Sequence, residues 1–398
     1  MFNRVKNLQL SVIKQMEIRA AKYPDVISLA QGIPSFDTPA GIKRRVERAL
    51  KNGSVAKYSL SPGLPELREM IEISLAKENM FYDWQKEIIV TVGAIEAITA
   101  AILTVSEPGD EIILPSPSYT SYKEVVSLAG CSPVFVPLNE AAGWFFELEE
   151  FKKAITPKTK AILFCNPNNP TGTVYSREQL TDLAKLAVEH NFFIISDEVY
   201  KNFIYDGASK VFSLAELPEF RRKVIRIFSF SKSYAMTGWR IGFIHSDESV
   251  IQEILKVHDA LVTCAPVISQ YAAMGALEMG ESDVNEFKQQ YEKRRDLICA
   301  RLDRLSGFLE YVKPNSAYFV FPKIICPPSK GVRQPAEGGL NSSDSFAFAL
   351  ELLEKVQVAV VPGVAFGPNG EGHIRLSFGR TEAQINGAFD RLEKYFNV

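Results

Sequence analysis

The sequence predicts an α/β fold: a large domain on a mainly parallel, seven-stranded sheet, followed by a smaller α/β domain. Three observations carry this. From about residue 87 to residue 245, short β-branched runs alternate with helix-compatible stretches. Several of those runs are apolar throughout, as in a sheet covered by helices on both faces. After residue 284 the texture changes to a long charged helix and shorter, scattered strands, which marks a second unit.

The expected organisation is an N-terminal arm and part of the small domain over 1–40, a large domain over 41–283 and a small C-terminal domain over 284–398. Strands of the large sheet are expected at 88–92, 111–114, 134–136, 161–165, 192–196, 224–228 and 241–245. Helices fit 94–105, 122–129 and 177–190, the last opened by Ser176 as an N-cap. A helix over 284–305 leads to strands at 318–321, 358–361 and 373–378, read as an antiparallel sheet, with helices at 343–356 and 382–396. The stretch 326–343 is rich in Pro, Gly and Ser and reads as a surface loop.

Composition excludes several classes of function. The 398 residues are 46% hydrophobic and 23% charged, with a formal net charge of -2. That balance offers no basic footprint for nucleic acid or for an anionic membrane surface. It also speaks against a DNA-binding regulator. No apolar run reaches the length needed to cross a bilayer, and the first residues lack the apolar core of a signal peptide. Four histidines and five cysteines are scattered without C-x-x-C or H-x-x-x-H spacing, so neither zinc nor a disulfide framework is expected. Cysteines inside apolar runs fit buried thiols in a reducing compartment, and the cytoplasm is the expected location.

The chemistry concentrates at strand ends, where open α/β sheets bind ligands. Ser229 to Arg240 reads S-F-S-K-S-Y-A-M-T-G-W-R. Lys232 can form a Schiff base with a carbonyl compound, while Ser229 and Arg240 can grip a phosphate. Pyridoxal 5'-phosphate carries both groups. The strand at 192–196 runs into D-E-V-Y, where Asp197 could pair with a protonated pyridine nitrogen and Tyr200 with the ring oxygen. After 161–165 comes N-P-N-N-P-T-G, which sets Asn169 beside Tyr200; a cis peptide is expected before Pro167 or Pro170. The strand at 88–92 enters a helix through Gly93, Ala94 and Ile95, offering backbone N–H groups to a phosphate. P-S-P-S-Y places Tyr119 to stack on a planar ring. In H-I-R-L-S-F, Arg375 shares a face with His373 and Ser377 and seeks an anionic partner such as a substrate carboxylate. Each residue alone has an ordinary alternative, an N-cap, a turn or a structural ion pair.

Together these residues resemble the fold type I pyridoxal-phosphate enzymes, specifically the class I/II aminotransferases in the branch of aspartate, aromatic and kynurenine aminotransferases. The likeness runs from S-L-A-Q-G-I-P-S-F at 28–36 through V-V-P-G-V-A-F-G at 360–367 to I-R-L-S-F. It implies an amino-group transfer from an L-amino acid, aromatic, neutral or aspartate, to a 2-oxo acid such as 2-oxoglutarate. The mechanism would be ping-pong through a Lys232 Schiff base, with Lys232 also moving the α-proton. Asp197 would hold the ring nitrogen, Asn169 and Tyr200 the ring oxygen, and Tyr119 the ring face. Ser229, Arg240 and the backbone at Gly93, Ala94 and Ile95 would hold the phosphate. Tyr58 would reach the phosphate of a neighbouring subunit, so a homodimer is implied. Arg375, helped by Asn169 and the backbone near Gly32, would bind the α-carboxylate. One departure matters: no Lys or Arg lies between Lys256 and Lys288, where a branch of the family carries its distal-carboxylate arginine. A neutral or aromatic donor is favoured accordingly. A carbon–sulfur β-lyase on the same scaffold is the alternative reaction.

Overall fold

The structure is a computed structural model that describes residues 10–207, 210–280, 282–325 and 344–398. Its centre is an eight-stranded sheet. The strands, in chain order, are β1 (Ile88–Thr91), β2 (Glu111–Ser116), β3 (Ser132–Asn139), β4 (Phe145–Phe146), β5 (Thr159–Cys165), β6 (Phe193–Asp197), β7 (Val224–Ser229) and β8 (Gly242–His245). They are arranged β1-β8-β7-β6-β5-β2-β3-β4. The pairs β3/β2, β2/β5, β5/β6 and β6/β7 are parallel, whereas β8 runs antiparallel to both β7 and β1. All seven expected strands are present. The eighth, β4, is a two-residue hairpin partner of β3, too short to leave a periodic signal.

Strands β1, β7 and β8 are buried at every residue, which explains their largely apolar texture; the exceptions Arg226 of β7 and His245 of β8 are buried against one another. The Gly93–Val105 helix lies against this part of the sheet and buries Ala97, Ile98, Ala100, Ala101 and Ile102. Its small residues allow close approach of helix and sheet. The Arg177–Glu189 helix starts as expected: Ser176 accepts from Gln179 N–H in a full capping box, a cap that contributes about 1 kcal/mol.

After the sheet, the Ser282–Asp303 helix leads to a three-stranded antiparallel sheet of Phe319–Val320, Ile374–Ser377 and Val361–Pro362, in the order Phe319–Val320, Ile374–Ser377, Val361–Pro362. Leu309–Glu310 and Lys323–Ile324 form a separate antiparallel pair. The expected helix at 343–356 resolves into Ser345–Glu351 and a wider π-type turn over Leu352–Val356. The final helix is Glu382–Phe396. Near the N-terminus, Ile27–Ser28 pairs in parallel with Val358–Ala359, so the arm adds a strand to the C-terminal part of the chain. The loop expected at 326–343 lies outside the described residues. Among the described residues no helix is long and apolar enough to cross a membrane.

Candidate active site

A cavity of about 400 Å³ opens at the carboxyl ends of β5, β6 and β7, and Ala94, Ile95, Tyr119, Asn169, Asp197, Tyr200, Ser229, Lys232 and Arg240 all line it. Five different strand ends, those of β1, β2, β5, β6 and β7, deliver these residues, as the strand-end rule for open sheets requires.

Lys232 sits in the single helical turn Phe230–Ser233 directly after β7. Its Nζ donates to the carbonyl of Gly32 at 2.8 Å. Burial, followed by the nearby charges of Arg375 and Arg240, lowers its pKa to about 8. A lysine so placed has a substantial neutral fraction near neutrality, which is what a nucleophilic amine needs. Tyr318 OH donates to the same Gly32 carbonyl at 2.9 Å and fixes this acceptor in place.

Asp197 and Glu198 are adjacent and buried, yet they have different fates. Glu198 Oε2 takes Arg226 Nε at 2.6 Å, and its Oε1 accepts from Ser213 and Ser196. Asp197 accepts from Tyr122 OH at 2.7 Å on Oδ2, while Oδ1 is buried with no partner among the described residues. Desolvation raises the Asp197 pKa to about 6, against the lowering effect of the Tyr122 hydrogen bond. An acceptor left orphaned in a cavity wall is costly unless a ligand supplies the donor.

The end of the cavity beside Arg240 is built from backbone as much as side chain. Gly93 has a φ of +74°, and a Cβ there would stand 2.8 Å from Arg240 Nη2, so the guanidinium packs onto the glycine. Glu96 Oε2 accepts the Val92 N–H at 3.0 Å, while the N–H groups of the first helical turn have no partner within the helix. Ser229 Oγ accepts from Ser231 N–H at 3.2 Å. Ser231 and Thr237 join the lining; a sequence motif that stressed Ser229 and Lys232 passed over them.

Arg375 is buried. Nη1 donates to Asn169 Oδ1 at 3.0 Å and Nη2 to the Ala30 carbonyl at 2.5 Å. The guanidinium lies 4.3 Å from the Phe319 ring centroid and 5.1 Å from that of Phe366. Its Nε has no partner among the described residues, and burial lowers its pKa to about 10. Among the described residues no carboxylate pairs with it, so the structural ion pair considered from sequence is not formed there. Because Asn169 Oδ1 accepts from Arg375, its amide nitrogen is left to donate.

Tyr58 stands apart: it is 85% exposed and does not line the cavity. Asn166–Pro167 is cis, as is Ser116–Pro117. Tyr122 was missed by sequence because it lies inside a helix, Ser121–Leu128, and its link to Asp197 spans the fold. Among the described residues no cluster of His, Cys, Asp and Glu could hold a metal.

The residues fit pyridoxal 5'-phosphate. The orphaned Asp197 Oδ1 suits a protonated ring nitrogen, the buried amine suits an aldehyde, and the Gly93–Arg240 cradle suits a phosphate. Comparison with known proteins agrees. The family profile of aminotransferase class I and II matches residues 24–392. An aspartate aminotransferase of Pyrococcus abyssi is 39% identical over 97% of each chain. An aromatic-amino-acid aminotransferase of Thermococcus litoralis is 37% identical over 98% of this chain and 97% of that one. The aspartate aminotransferase of Thermus thermophilus with maleate superposes with a TM-score of 0.90 at 34% identity, covering 99% of both chains. The chain belongs to the class I and II aminotransferases and is a pyridoxal-phosphate-dependent enzyme.

Proposed function

We propose that this enzyme moves the amino group of an L-amino acid, aromatic, neutral or aspartate, to 2-oxoglutarate in two half-reactions at one site. The observation that carries the reading is the buried Lys232 amine set between an unpartnered Asp197 oxygen and an unneutralised Arg375. Relatives named for aspartate and for aromatic amino acids support both donor classes.

When bound, the cofactor supplies an electron sink for the substrate's α-carbon. Asp197, through the unpartnered Oδ1, would hold a proton on the ring nitrogen. Asn169 and Tyr200 orient the ring through its oxygen, and Tyr119 covers one face. Ser229, Arg240 and the N–H groups of Ala94 and Ile95 bind the phosphate. Arg375, with the Asn169 amide, would fix the α-carboxylate beside Lys232. Lys232 Nζ then removes the α-proton and redelivers it, with the Gly32 carbonyl orienting the amine between transfers.

A homodimer is part of this proposal. Tyr58 and Leu60 are large, exposed side chains on one short segment, which supports a neighbouring subunit seated there with Tyr58 reaching its phosphate. A cytoplasmic location is proposed as well, supported by four described cysteines that are free and buried.

The test is a panel of amino donors with 2-oxoglutarate, following the oxo acid formed. Turnover of at least one aromatic, neutral or aspartate donor is expected. If none turns over, and cysteine conjugates instead release pyruvate and ammonia without an acceptor, the transfer reading is wrong.

A further inference from the structure

Asp197 has two carboxylate oxygens, and the structure treats them differently. Oδ2 is tied to the Tyr122 hydroxyl at 2.7 Å, while Oδ1 is left without a partner at the cavity wall. A carboxylate rotates about a soft, two-fold torsion, so its strongest donor, the Tyr122 hydroxyl, sets which oxygen faces the ligand, with the Val199 backbone N–H as a weaker second influence. Tyr122 is completely buried. Burial first, then the Asp197 charge, pushes its phenol pKa well above the ordinary value, so it remains a donor at every working pH. Its ring also meets Tyr119 edge to face, with centroids 5.4 Å apart. The start of one helix, Ser121–Leu128, therefore adjoins the ring-stacking residue and anchors the carboxylate.

We propose that Tyr122 is a positioning residue for Asp197: its hydroxyl pins Oδ2 and so directs Oδ1 to the ring nitrogen of the cofactor. The assignment rests on the reading of Asp197 as the partner of that nitrogen. A hydrogen bond to a buried anion does two things here. It orients the carboxylate, and it opposes the desolvation that favours protonation of Asp197.

The experiment compares Tyr122→Phe, Asp197→Asn and the double variant as holoenzymes. It reads the pH midpoint of the visible absorbance band, the affinity for pyridoxal 5'-phosphate, and kcat and KM. Tyr122→Phe is expected to lower kcat and cofactor affinity about tenfold each, the usual scale for a lost hydrogen bond to a charged group. It should move the band midpoint by about one pH unit, the same tenfold in proton affinity, with KM nearly unchanged. In the Asp197→Asn background the same substitution should move none of these by more than about twofold, because residues acting through one another are not additive. A Tyr122→Phe enzyme with wild-type band and affinity overturns the proposal. So does an equal effect in both backgrounds, which would mark Tyr122 as packing only. If Tyr122→Phe does not fold, 3-fluorotyrosine at position 122 keeps the shape and makes a stronger donor; an unmoved band midpoint then overturns the proposal. An unimpaired Asp197→Asn enzyme would instead remove the reading of Asp197 itself.

Discussion

Replacing Asp197 with asparagine should act in opposite directions on the two forms of the enzyme. Without cofactor, the Asp197 carboxyl holds its proton more tightly folded than unfolded, because burial raises its pKa from 3.8 to about 6. Ionisation therefore disfavours the folded state. The wild-type apoenzyme loses stability as pH rises from about 4 to about 6, and the loss stays constant above that. About two units at 1.36 kcal/mol each set an upper bound of about 3 kcal/mol. At about 2.1 cal/mol/K per residue, 398 residues convert this to a Tm higher by up to about 4 °C for Asp197→Asn at pH 8. The difference should vanish at pH 4. With cofactor the sign reverses: loss of the anion leaves the ring nitrogen unpaired in a buried site, and affinity for pyridoxal 5'-phosphate should fall about a hundredfold. Thermal melts of both apoproteins from pH 4 to pH 8, with a cofactor titration at pH 8, check this. A Tm difference that is flat across the range, or an unchanged affinity, would refute the reasoning.

Three other outcomes follow from the same geometry. The apoenzyme should capture pyridoxal phosphate at a rate that climbs about tenfold per pH unit below pH 8 and then levels, because only neutral Lys232 attacks; a rate still climbing past pH 10 would indicate an ordinary, solvated lysine. Arg375→Lys should lower kcat/KM for amino acids about a hundredfold through loss of the two-pronged carboxylate grip. An amine lacking the α-carboxylate should show no such loss, and a value within threefold for amino acids would discard the assignment. Gly93→Ala forces a Cβ to 2.8 Å from Arg240 Nη2 at a φ of +74°, so cofactor affinity measured by equilibrium dialysis should drop about tenfold; full retention would show that the cradle adapts.

The sequence by itself determined the order of strands and helices and the residue types at the strand ends. Both are local properties: β-branched runs bounded by turn residues mark the strands, and the turns that follow present Asn169, Asp197 and Lys232 at one edge. Direction and pairing were not local. Nothing in the run 241–245 states that β8 lies antiparallel between β1 and β7, and two-residue strands such as Phe145–Phe146 are shorter than any period. The same holds at the site. D-E-V-Y offers two neighbouring carboxylates, and only the folded chain assigns them, because Arg226 from β7 neutralises Glu198 and leaves Asp197 facing the cavity. Tyr122 reads as one more residue of an amphipathic helix until the fold sets its hydroxyl against Asp197. Arg375 meets Asn169 across about half of the chain, 206 residues apart. Side-chain identity is written along the chain, but which charges meet and which stay unpaired is decided by packing between segments distant in sequence.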